Sequence, residues 1–147
     1  MARQSDIERP TTLLDDAPME HLAAFAADLA AAPPWVGVWV NFMGIVLAFS
    51  IPFSLKRVEA RWALLVMVLS APAMIALHAA IGYSRLLGIV HVVLWTPFVV
   101  WLWRRRDRWR VKETLSGKWI ALVFATMIVS LAFDYADVAR WLLGERG

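Results

Sequence analysis

Residues 62–84 read WALLVMVLSAPAMIALHAAIGYS, 23 positions between Arg61 and Arg85 without a charged side chain. At about 1.5 Å of rise per residue, a helix over this run crosses the roughly 30 Å of a bilayer's hydrocarbon core. Two comparable runs lie on either side of it, with 21 uncharged residues at 35–55 and 18 at 86–103. A fourth, at 119–133, has 15. With 61% hydrophobic residues overall, four such helices would have too few polar faces to pack in water. The pattern predicts an all-α integral membrane four-helix bundle, with spans near 35–54, 62–82, 86–103 and 119–138.

The fourth run carries extra information. Fifteen residues make only about 22 Å of helix, too short to span. The helix must continue through Asp134 and Tyr135 toward Asp137. Asp134 therefore falls inside the membrane boundary, where a carboxylate is costly unless paired, protonated or hydrated.

The 147 residues divide into an acidic tail with a short amphipathic helix, 1–34, and a four-span domain, 35–147. Asp15, Asp16 and Pro18 signal the start of the tail helix and Pro33–Pro34 its end, so it is expected over 17–32. Leu22, Phe25 and Leu29 give it one apolar stripe, which suits an interfacial helix or a docking surface for a partner. Six acids in the first 34 residues and no apolar core there argue against a signal peptide. Cysteine is absent, which removes thiolate sites and disulfides from consideration.

Lys and Arg set orientation. The first loop has Lys56, Arg57 and Arg61, and the third has Arg104, Arg105, Arg106, Arg108, Arg110, Lys112 and Lys118; the tails and second loop hold only five more. Both termini are expected on the periplasmic side of a bacterial inner membrane; the bacterial origin is inferred from the Arg- and Ala-rich composition. Arg104, Arg105, Arg106, Arg108, Arg110 and Lys112 are expected to meet anionic lipid headgroups, each contributing on the order of 1 kcal/mol. Interleaved Trp103 and Trp109 also fit nucleic acid, but the segment abuts a span, so no nucleic acid is expected.

Polar residues within the spans are few. Asn41, His78, His91 and Asp134 fall in one slab roughly 5–10 Å below the terminal face, counted by helical rise. His78 and His91 are near-symmetric about the short turn at 82–85, which makes spans two and three a tight hairpin. Three readings follow. The groups can hydrogen-bond across helices and pin the bundle, with Arg85 a further partner for Asp134. They can form a metal or proton-handling site of His78, His91 and Asp134. They can hold a bis-His haem, although a tight hairpin leaves little room for one. His21, in the tail, is a weaker candidate ligand.

No G-x-S-x-G, H-E-x-x-H or phosphate loop occurs. The favoured expectation is a non-catalytic accessory or interaction subunit without a cofactor, meeting a membrane-protein partner or a second copy. A metal- or proton-handling protein and a small oligomeric transporter are the alternatives.

Single cysteines placed at residue 10, in the third loop and at residue 147 test the orientation in this cysteine-free chain. Positions 10 and 147 should react with an impermeant thiol reagent in intact cells, and the third loop only after lysis. The reverse pattern would overturn the assignment.

Overall fold

A computed structural model describes residues 17–145. The tail positions Arg3, Arg9, Asp15, Asp16 and Arg146 lie outside the described residues. Among those described, every regular element is helical. They are α1 (Ala17–Ala31), α2 (Pro34–Ala48), α3 (Ser50–Phe53), α4 (Val58–Ile81), α5 (Ile89–Arg104) and α6 (Leu115–Leu142). Two 3₁₀ turns, Arg85–Gly88 and Arg106–Arg108, flank α5. Four segments are long and apolar enough to cross a membrane: Pro34–Phe53, Val58–Ile81, Arg85–Arg104 and Leu115–Leu142. The chain is an all-α four-helix bundle of a multi-pass membrane protein. We call the end carrying α1 and the second loop the terminal end, and the other the basic end.

Pro33 and Pro34 separate α1 from α2, and Pro34 opens α2 at a position where its missing N–H costs nothing. Pro52 has no N–H for the Ala48 carbonyl, and the first span is interrupted at Phe49 before the single turn of α3. In the last turn before this interruption, the Val46 carbonyl accepts the Trp119 indole N–H at 2.8 Å. The second span begins at Val58, four residues earlier than the charge-free run suggests. Its first turn carries Glu59, only 4% exposed and paired at 3.3 Å with Arg105, the residue that follows α5. Charge marks a span end only where the charge meets water or headgroups. Thr114 caps α6 by accepting from the Gly117 N–H at 3.0 Å.

The spans form a ring, α2–α4–α5–α6, with each touching its two neighbours, while α1 packs on α2 and α4. The core is written at helical spacing. Ala60, Ala63 and Val66 face inward from α4; Trp95, Phe98, Val99 and Leu102 from α5; Ile120, Val123, Met127 and Leu131 from α6. Lipid is as apolar as these residues, so close packing and interhelical hydrogen bonds hold the ring together. Helix α6 is the hub, with 39% of its most apolar stretch buried against 17% in α4.

The two basic loops lock onto each other. Arg57 donates to the carbonyls of Arg108 and Trp109. Arg105, besides meeting Glu59, lies over the Trp101 ring at 4.9 Å. Gly117 is buried where the third loop turns back: a Cβ there would run into the carbonyls of Trp109 and Arg110. At Gly37, a Cβ would meet nothing within 4 Å.

Gly117→Ala should therefore destabilise the bundle by about 1–3 kcal/mol through overpacking. Gly37→Ala should be neutral or slightly stabilising, since it removes only backbone freedom. Unfolding by SDS titration in mixed micelles measures both; equal effects would contradict the packing described.

Candidate functional site

The polar slab at the terminal end is built where α6 meets the turn that opens the third span. Gly88 ends that 3₁₀ turn, and a Cβ on it would stand 2.9 Å from Asp134 Oδ1 and 3.2 Å from Asp134 Cα. The missing side chain lets the two backbones approach at the point where α6 carries its intramembrane carboxylate. One turn further along α5, His91 Nδ1 lies 3.0 Å from Asp134 Oδ2, with the side chains 14% and 17% exposed. An ionised carboxylate only accepts, so the Nδ1 atom carries the proton in that state. Arg85, at the start of the 3₁₀ turn, donates to Asp137 Oδ1 at 3.3 Å, and the hydroxyls of Thr96 and Tyr135 meet at 2.9 Å. These polar contacts join the third span to α6.

A second chain of contacts leads inward. The His91 and Trp95 rings lie 4.1 Å apart between centroids, tilted by 32°. The Trp95 indole donates to Ser70 Oγ at 2.8 Å, and Ser70 donates onward to the Val66 carbonyl at 2.7 Å. Trp95 and Ser70 are both buried, so each polar atom in this chain is matched where water cannot serve it.

His78 goes elsewhere. Its Nε2 lies 2.8 Å from Asp28 Oδ2 on α1, and its ring takes an edge contact from Phe25 at 5.4 Å between centroids. His78 is 6% exposed while Asp28 is 49% exposed, so a surface carboxylate reaches down to a buried imidazole. Asn41 spends its amide N–H on the Gly37 carbonyl of its own helix at 2.8 Å and joins neither pair. His21 lies exposed on α1.

The residues expected to share one cluster are therefore split. His91 and Asp134 come together. His78 turns to α1, Arg85 bonds Asp137, and Asn41 stands apart. Among the described residues, no three His, Asp or Glu side chains converge as a metal-ligand group. The physical reason is helix rotation: shared depth brings His78 and His91 level, but each ring points toward a different neighbouring helix. Three acids, Asp137, Asp28 and Glu59, are partners that the sequence reading does not name as such. Asp28 becomes one because Pro33–Pro34 folds α1 back against α4. Glu59, the only acid of the first loop, could have been suspected from its place in the first turn of a helix among cations.

At the basic end, Arg104, Arg106, Arg108, Arg110 and Lys112 are exposed, and Arg110 pairs with Glu113. Arg106 lies over Trp103 at 4.7 Å. Arg105 differs from these in being half-buried and paired with Glu59.

No family model, curated protein or solved structure matches this chain.

Paired groups should show coupling that separated groups do not. A double-mutant cycle with His91→Ala and Asp134→Ala should give a coupling of about 0.6–2 kcal/mol in detergent unfolding. His78→Ala combined with Asp134→Ala should be additive within about 0.5 kcal/mol. Strong coupling of His78 to Asp134 would contradict the split arrangement.

Proposed function

We propose that this chain is a non-catalytic accessory or interaction subunit of a membrane assembly, set in a bacterial inner membrane with both termini on the periplasmic side. The observation that carries this reading is the open face of α2. A groove of about 630 Å³ runs along it, lined by Leu29, Pro33, Gly37, Val38, Asn41 and Phe42, among others. Phe42 and Ile45 are 40% and 62% exposed there. Among the described residues nothing donates to the Asn41 amide oxygen, and a Cβ on Gly37 or Gly44 would meet nothing. A polar amide beside small residues in a span is the kind of surface on which another helix packs closely and finds a hydrogen bond.

The rest of the polar inventory supports the same reading. His91, Asp134, Arg85, Asp137, Trp95 and Ser70 bond one another. None of them lines the groove on α2.

A second reading, proton handling, is favoured by one observation. His91 and Asp134 are an imidazole and a carboxylate in direct contact near the terminal face, a pairing that takes up and releases protons in membrane carriers. Proton flux into liposomes carrying the purified protein, with Asp134→Asn as comparison, separates this reading from the first.

A photo-crosslinking residue placed at 42 or 45, and at 93 on α5 as a control, tests the α2 face in cells. Val93 is equally open, at 63% exposed. A discrete protein adduct from 42 and 45 but not from 93 is the expected result. Adducts only to lipid, or the same adducts from all three positions, would sink the docking proposal.

A further inference from the structure

A second groove, of about 480 Å³, runs along the basic end between the turn after α3 and the first turns of α4. Ser54, Leu55, Arg61, Leu64, Leu65 and Val68 line it. The α4 positions are spaced i, i+3, i+4 and i+7, so they form one continuous helix face. That face changes character along its length, with a cation at the mouth and only Leu and Val below. Arg61 Nε donates to the Ser54 carbonyl at 2.7 Å, which holds the exposed guanidinium at the mouth and uses only one of its five N–H donors. Among the described residues no carboxylate pairs with Arg61, because Glu59, the only acid of the first loop, is turned inward on Arg105. Leu55, 82% exposed, flanks the mouth, and the exposed Lys56 follows it.

We propose that this groove binds one anionic phospholipid, with its phosphate on Arg61 and an acyl chain along Leu64, Leu65 and Val68. Seven residues of helix separate Arg61 from Val68, about 10 Å, which is the depth from a headgroup phosphate into the upper acyl region. The guanidinium fork presents paired donors to phosphate oxygens. In a bilayer, the apolar wall beneath is covered by acyl chain whatever the headgroup, so the unneutralised cation selects a lipid with net negative charge. A zwitterionic lipid offers the same phosphate together with a competing cation of its own. A free phosphate would leave the apolar wall unused. The site is separate from the third-loop cations and from the α2 groove, and rests only on the membrane placement of the spans.

Native mass spectrometry of the full chain released from detergent tests this, with phosphatidylglycerol, phosphatidylcholine or inorganic phosphate added in turn. One phosphatidylglycerol should be retained under activation that strips phosphatidylcholine, and phosphate should give no adduct. Arg61→Gln should weaken phosphatidylglycerol binding about tenfold, the scale of one charge-assisted contact. Leu65→Trp, which fills the groove and keeps the cation, should weaken it as much and keeps the test open if Arg61→Gln fails to insert. The joint change Arg104→Gln and Arg106→Gln should leave it intact. Equal retention of the two lipids, binding of phosphate alone, wild-type affinity in Leu65→Trp, or loss on changing Arg104 and Arg106 would each overturn the proposal.

Discussion

Asp134 is the residue around which the terminal end is organised. Helix α6 has too few uncharged residues to cross the membrane without taking this carboxylate below the surface. Once there, the carboxylate needs a donor from another helix, since hydrocarbon supplies none. His91 supplies it at 3.0 Å, and Gly88 lets the third span come close enough for that bond to form. Arg85 and Asp137 repeat the same logic nearer the surface. The register between the third span and α6 thus follows from one costly group and the glycine opposite it. The hub position of α6 follows in turn, because the face that carries Asp134 continues into Ser130, Met127 and Val123 in the core.

The basic end solves a different problem. Ten cations there favour one side of the membrane, but a loop of free arginines has no reason to hold one shape. Two of them are spent inward. Arg57 binds third-loop carbonyls, and Arg105 meets a Glu59 that is almost fully buried. A buried pair of this kind adds little net stability, because desolvation offsets the attraction. Losing one partner is another matter, since it would leave a charge buried and unpaired. Its contribution is to fix how the start of α4 and the third loop meet.

Span number, approximate span limits and the depth of the polar slab are legible in the chain because each depends on one dimension only, distance along a helix axis. Which polar groups pair depends on rotation about that axis, and no local feature of an all-round apolar helix specifies it. His78 and His91 sit at one level, yet α1 claims the first and α6 the second. Asn41 shares their depth but turns its amide back to Gly37. Span two begins four residues before its charge-free run for a related reason. A glutamate reads as a boundary in sequence, whereas Glu59 is buried beneath a guanidinium contributed 46 residues later.

The contrast between α6 and α2 bears on what the molecule is for. On α5 and α6, His91, Trp95, Thr96, Asp134, Tyr135 and Asp137 each have a partner within the chain, and the small residue between the helices, Gly88, is required by a contact that is present. On α2, among the described residues, the small residues Gly37 and Gly44 face open space and Asn41 keeps an acceptor unused. Polar groups facing lipid are costly, and glycine in a helix gives up stability unless something approaches closely. A face that carries both costs with no return among the described residues is accounted for if the return comes from a second helix lying along the groove. This is why the proposed role rests on α2 and not on the histidines, even though the histidines are the more conspicuous residues in the sequence.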